Sequence, residues 1–508
     1  MVARRLRELR KRAGLTVTEL AERCGWHHAK TSRVENARTA PSAQDIRAWC
    51  RVCEAADQAD DIVAQSLNAE SMYREWRRQV RGGLKKLQDS VVDFYRQTQL
   101  FRVYSSTLVP GMLQTEGYAA SVLGYFAKPW GMTAEDVAEA AAARVARSRI
   151  IHEPGHRFVL LIEESVLRYR VAEPDVMAGQ LGYLMTAGSL PAVSLGIIPM
   201  ATPRRAQWPH ETFHIHDDTM VAVETISAAV NITQPSEIAL YLKAFEDLRS
   251  MAVYGAAARA LIVRSIEALG RFSPTWRLSS VGGQGWLIRS RRYAMPLDNS
   301  TPGDGNVTSE RTEWRHQMQN GLKPLQESLV ELFGRTRLFR IYSSTLVPGL
   351  LQTEGYAAAV LNAVAEFREL PVKDVAEAAA ARVKRSGVIH EPGHRFELLV
   401  EEAVLRCRIG DREVMAGQLD RLLTAGSSPA MSFGVIPMAT PRQTQWPRET
   451  FHVYDDALVS VEAISAQVSI TQPHEIALYL KAFDQLREMA VYGAEARALV
   501  EKAAEALG

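Results

Sequence analysis

The chain has 508 residues, of which 47% are hydrophobic, 23% charged and 7% aromatic; this is the make-up of folded globular proteins at a length of about three domains, and it excludes disordered, collagen-like and coiled-coil classes. Sixty Lys and Arg against 58 Asp and Glu leave a net charge of +2, so any surface for nucleic acid must be local. Four cysteines (Cys24, Cys50, Cys53, Cys407) and no apolar leader after the Arg-rich start argue against a disulfide framework and for a cytoplasmic protein. No segment approaches the roughly 20 apolar residues of a membrane-spanning helix, so no membrane partner is expected.

Charge is uneven along the chain. Residues 1 to 51 carry twelve Lys or Arg against five acids, a local charge of +7, as expected of a small domain that neutralises phosphates. Leu6, Leu9 and Ala13 fall on one helical face, and Gly14 stops that helix. Thr16 and Glu19 have capping-box spacing and open a second helix, with Leu20, Ala21 and Cys24 on its inner face. After the turn at Gly25, a third helix from His28 to Glu35 buries Thr31 and Val34 and exposes His28, Ala29, Lys30 and Arg33. Cys50 and Cys53 fit core packing on a further helix.

The segment LRKRAGLTVTELAERCGWHHAKTSRVENARTAPS resembles the helix-turn-helix of Cro/XRE-type repressors, in which the third helix enters the major groove. That resemblance implies DNA contacts by His27, His28, Lys30 and Arg33, and phosphate contacts by Arg4, Arg5 and Arg38. Three positions depart from the pattern: Val17 stands where the class has Gln, His27 where it has a Ser or Thr cap, and Thr31 where it has an apolar core residue.

The remainder contains itself. Trp76 aligns without a gap with Trp314, Tyr104 with Tyr342, His152 with His390 and Trp208 with Trp446, a constant offset of 238. The expected organisation is a helix-turn-helix domain at 1–70, a first α+β domain at 71–270, a linker at 271–309 and a second α+β domain at 310–508. In the first copy the pattern predicts a helical region over about 72–98 and a strand in LFRVYSSTLVPG, then helices in TEGYAASVLGYF and AEDVAEAAAARVARSRI. FVLLIEESVLRYR, AVSLGIIPM, ETFHIHD and TMVAVETI follow as strands, with a helix between the first two. Ile238, Tyr241, Leu242, Phe245 and Leu248 mark a closing amphipathic helix.

A Cro/XRE-like head ahead of VPGMLQTEGYA, a helix with Arg144 and Arg147, IEESVLR, IIPM and EIALYLKAFEDLR is similar to the actinobacterial WhiJ-like, antitoxin-like regulators. The resemblance implies a DNA-binding transcription factor that acts with a small protein partner or a small-molecule effector; the second carboxy-terminal copy departs from the usual architecture. Two like domains in one chain fit an internal pseudo-dimer, and a palindromic operator would need a homodimer.

Possible chemistry is sparse. HEPGH at 152–156 and 390–394 has the letters of a zinc-protease motif, but Pro-Gly breaks the helix that motif requires, so a turn before a strand is expected. No metal and no cofactor is expected. Glu163-Glu164 and Glu401-Glu402 follow apolar runs, so one of each pair faces inward and needs a partner, which Arg168 or Arg406 can supply. Candidate pocket residues are Tyr104, Gln114, Glu116, Tyr118, Trp208 and His214, with Tyr342, Gln352, Glu354, Tyr356, Trp446 and His452 in the second copy. A rival reading turns a regulator scaffold to cofactor-free acid-base or cyclisation chemistry in secondary metabolism, with His214, His216, Asp217 and Glu164 as the catalytic groups.

Overall fold

A computed structural model describes residues 2–36, 38–68, 73–75, 83–89, 91–127, 131–204, 207–270, 310–318, 321–370, 374–425, 428–442 and 444–507. The linker expected at 271–309 lies outside the described residues.

The head is all-helical: α1 (Val2–Arg12), α2 (Val17–Arg23), α3 (His28–Glu35), α4 (Ala43–Val52) and α5 (Ala59–Asn68). Leu6, Leu9, Leu20, Val34, Ile46, Trp49, Cys50 and Ile62 form its core. Thr16 accepts from the Glu19 amide while the Glu19 carboxylate caps Thr16, so α2 starts where the sequence says it should. Gly14 at φ +68° and Gly25 at φ +71° take the left-handed conformation that reverses the chain before α2 and α3. Ala13 is exposed rather than inward, because α1 ends one residue before it.

Each repeat is α+β, a mixed sheet with helices on both faces. In the first, β1 (Tyr73–Glu75), β2 (Leu100–Ser105), β3 (Arg157–Glu163), β4 (Val193–Ile198), β6 (Phe213–His216), β7 (Met220–Glu224) and β8 (Ala228–Ile232) pair in the order β1-β8-β7-β6-β2-β3-β4; β5 (Pro203–Arg204) lies outside this sheet. Strands β2, β3 and β4 run parallel because helices cross between them, whereas β6, β7 and β8 are tightly connected and antiparallel. Phe101, Val103, Leu160 and Ile162 meet helices Glu116–Ala127, Pro174–Ala187 and Gly255–Gly270 on one face. On the other, Tyr104, Phe213, Ile215 and Val221 meet Ile238, Tyr241, Phe245 and Leu248 of helix Pro235–Ser250. The second repeat, with β9 (Glu310–Glu313), β10 (Leu338–Ser343), β11 (Arg395–Glu401), β13 (Met431–Ile436), β14 (Phe451–Tyr454), β15 (Leu458–Glu462), β16 (Ala466–Ile470) and β17 (Val491–Tyr492), repeats this order with β17 added at the far edge.

Three local expectations are corrected. The apolar run after Phe158 is not one strand: β3 ends at Glu163, and Glu164–Leu167 coils into a 3-10 turn that lets both glutamates be buried. Among its described residues, the region 72–98 contains a short strand and two short helices, Leu84–Asp89 and Val92–Gln97. Helix Gly255–Gly270 follows the helix expected to close the domain, and packs against β4.

The repeats are joined by reciprocal exchange. β12 (Arg408–Ile409) of the second pairs with β5 of the first, and at the equivalent place Arg442 N donates to Arg170 O at 2.8 Å. Glu211 accepts from the Ile464 amide at 2.8 Å, and Glu449 accepts from the Ile226 amide at 2.6 Å. Trp446 enters the core of the first repeat, 5.2 Å from Tyr125, and Trp208 packs on the core of the second.

Candidate nucleic-acid interface and the repeat arginine pairs

Helix α3 begins at His27, whose Nδ1 accepts from the Ala29 amide at 3.3 Å and so does the work of the Ser or Thr it replaces. His28, Arg33 and Arg38 are exposed, as is Arg4 on α1. Lys30 lies 4.4 Å above the Trp26 ring and 2.6 Å from Asp45 Oδ1, so its charge is already partly matched. Arg5 is corrected as a phosphate contact: it is buried and pairs at 3.0 Å with Glu313 on β9. Arg7 and Arg10 both reach Glu35, which fixes α1 against α3 and sets the angle at which α3 is presented. Val17 sits half-exposed at the start of α2 with no hydrogen-bonding side chain, and Thr31 is fully buried with Oγ1 unpartnered.

In the repeats, most polar-aromatic candidates belong to the core. Tyr104 OH donates to Glu163 Oε1 at 2.9 Å and accepts from the His210 amide; Tyr342 OH does the same with Glu401 and Arg448. Tyr118 and Tyr356 are fully buried and accept from the Val109 and Val347 amides. Gln114 and Gln352 bind the Val109 and Val347 carbonyls, while Glu116 and Glu354 are exposed in the first turn of their helices. Trp208 and Trp446 each pack against the core of the opposite repeat.

Of the four groups of the acid-base reading, Asp217 and Glu164 are held by backbone amides, and Glu164 also by an arginine. Asp217, at φ +50°, accepts from the Leu100 amide at 2.8 Å and from the Gln99 amide at 3.1 Å, and Asp455 repeats the contact. Glu164 pairs with Arg168 at 2.5 Å and accepts from the Met200 amide. His216 lies among Phe94, Phe101 and Tyr95 with Nδ1 unpartnered, and burial pushes its pKa down to about 3. Burial also lowers His214 and His452, both half-buried. HEPGH forms a turn with Gly155 at φ +91°, and His156 Nδ1 meets the Thr98 carbonyl at 2.7 Å. Among the described residues no cluster of His, Cys, Asp and Glu could hold a metal.

Two arrangements escaped the sequence. Glu163 is buried with Arg204, and Glu401 with Arg442, the second pair fully enclosed; Nη1 to Oε1 is 3.0 Å in both. Each arginine sits in the segment exchanged between repeats. The second arrangement is a pair of part-buried arginines in each copy. Arg144 Nη1 donates to Gln114 Oε1 at 2.9 Å and Nε to Gln88 Oε1 at 3.2 Å; Arg147 donates to the Gln88 carbonyl and lies over Tyr95. Arg382 and Arg385 reproduce this on Gln352, Gln326 and Phe333. Burial, and then the neighbouring Arg147, lower Arg144 to about 10; burial and Arg382 do the same to Arg385. Among the described residues, neutral side chains and carbonyls hold these four cations and no carboxylate pairs with them. An Arg three residues after another, at matched places in both copies, was the available signal.

Short helices around left-handed glycine turns, ahead of two mixed-sheet domains, define a helix-turn-helix protein with tandem carboxy-terminal domains. Residues 2–61 match the model of a helix-turn-helix domain. Residues 88–264 and 326–502 each match a domain of unknown function, DUF5753, and the chain belongs to that family. No curated protein matches the chain. No helix of the described residues is long and apolar enough to cross a membrane.

Proposed function

We propose that this protein is a DNA-binding transcriptional regulator of the XRE and WhiJ-like, antitoxin-like kind, cytoplasmic, whose two carboxy-terminal domains bind a small-molecule effector or a small protein partner. The observation that carries the reading is the helix-turn-helix domain with His28 and Arg33 exposed on α3, flanked by exposed Arg4 and Arg38. The arginine pairs support the effector half, since among the described residues neutral groups are their direct partners, and a part-buried guanidinium held that way can take an acidic group of a ligand or partner. One head serves two repeats, so a palindromic site calls for two chains and four repeats.

The test is binding of the purified protein to DNA from its own upstream region across a salt titration. Arg33→Ala is expected to weaken sequence-selective binding by roughly 1–3 kcal/mol, about 5-fold to more than 100-fold. Binding that is weak, indifferent to sequence and unchanged by Arg33→Ala would remove the regulator reading.

A further inference from the structure

In the first repeat a cavity of about 410 Å³ opens at the edge of the sheet, where β2, β3 and β4 begin and helix Pro235–Ser250 ends. Arg102, Arg157 and Arg249 line it, with Val159, Pro191 and Phe245 as apolar wall. Arg102 is held at 2.9 Å by Asp218 and donates to the Asp217 carbonyl, and Arg249 pairs with Glu246, also in the wall, at 2.7 Å. Arg157 is exposed and forms no ion pair among the described residues.

The second repeat shows what a carboxylate does in this place. Its counterparts, offset by 238, are Arg340, Arg395 and Arg487, with Asp456 and Asp484 in the roles of Asp218 and Glu246. At the position of Val159 it has Glu397, whose Oε2 stands 3.8 Å from Arg340 Nε and 3.6 Å from Arg487 Nη1. The backbone frame is shared: Arg102 pairs across β2 and β3 with Val159 as Arg340 pairs across β10 and β11 with Glu397. Three arginines against Asp456, Asp484 and Glu397 balance to zero in the second repeat, whereas three against Asp218 and Glu246 leave +1 in the first. The first repeat thus keeps the cations, loses the anion between them and has open volume there.

We propose that the first repeat binds a small organic acid in this cavity, its carboxylate or phosphate taking the place that Glu397 fills in the second repeat and its apolar part lying against Val159 and Phe245. The two repeats then differ in kind: one is a receptor, and the other carries its own permanent acidic group. This site is separate from the DNA interface and stands whether or not the head binds DNA.

Calorimetric titration of the full chain with benzoate and with phenyl phosphate tests this, and the better-bound probe tells carboxylate from phosphate. The wild type is expected to bind one equivalent. Val159→Glu copies the second repeat and is expected to weaken binding at least tenfold, Val159→Leu to retain it, and Glu397→Val to raise the stoichiometry to two. Because Val159→Glu rebuilds a constellation the same fold already accommodates, its thermal unfolding should match the wild type. Absence of saturable binding of both probes, or binding that Val159→Glu leaves unchanged in a folded protein, would overturn the proposal.

Discussion

At the scale of single residues, the two repeats are a natural substitution experiment. His216 in the first is Tyr454 in the second, in the same aromatic surroundings beside Phe101 or Phe339. Burial first, and then His214, depress His216 to about 3; unfolded, it takes up its proton near 6.5. The unfolded chain therefore binds more protons below about pH 6.5, so the stability this neutral histidine contributes is complete above that pH and is lost as pH falls toward about 3. His210, held at about 3 by burial and then by Arg368, adds in the same direction, and its counterpart Arg448 has no such titration. His216→Tyr is expected to flatten the decline of unfolding free energy between about pH 6 and 4, by at most ~1.4 kcal/mol per pH unit. Denaturant melts across that range would refute this if both proteins lose stability equally. The difference at 216 and 454 was legible in the sequence, as was that at 159 and 397. Its meaning was not, since a histidine in an alternating run reads equally as ligand, base or core.

At the scale of elements, most strands were read from alternation and the helices from their apolar stripes, but the segments between β4 and β6, and between β13 and β14, were given no role beyond their tryptophans, which were read as pocket candidates. In the fold they cross to the other repeat, so that Trp446, 3% exposed, becomes part of the first repeat's core while Trp208 remains half-buried on the second. Trp446→Ala is therefore expected to destabilise by about 3–5 kcal/mol, and Trp208→Ala by less. Thermal unfolding of both variants decides; equal losses would show that the unequal burial carries no energetic weight. In the segment LQTEGY, Gln114, one of the expected pocket residues, donates to the Val109 carbonyl and accepts from Arg144, so it supports a part-buried arginine from inside the fold.

At the scale of the whole molecule, the three parts meet at β9. Arg5 of the head pairs with Glu313 on that strand, and Arg311, two residues earlier, pairs with Glu237 of the first repeat. One residue before Glu237, the Ser236 amide donates to Asp61 on α5 at 3.0 Å, which returns the chain of contacts to the head. β9 itself is hydrogen-bonded into the sheet of the second repeat. Buried pairs of this kind cost several kcal/mol when one partner is removed, so Arg5→Ala combined with Asp61→Ala is expected to release the head. Differential scanning calorimetry should then resolve a separate transition for it below that of the repeats. A single unshifted transition in the double variant would show that the head is held by other contacts.

The sequence alone determined the duplication, the helix-turn-helix, the capped start of α2 and the α+β make-up of each repeat. Each of these follows from order, period and local conformational preference along the chain, which are properties of neighbouring residues. The tertiary structure decided which buried charges meet. Glu163 finds Arg204 across 41 positions and Arg5 finds Glu313 across 308, so one expected phosphate contact became a structural weld and expected pocket residues became core. Ion pairs and exchanged tryptophans depend on distance in space and on the exclusion of water, and neither is written in the spacing of residues along the chain.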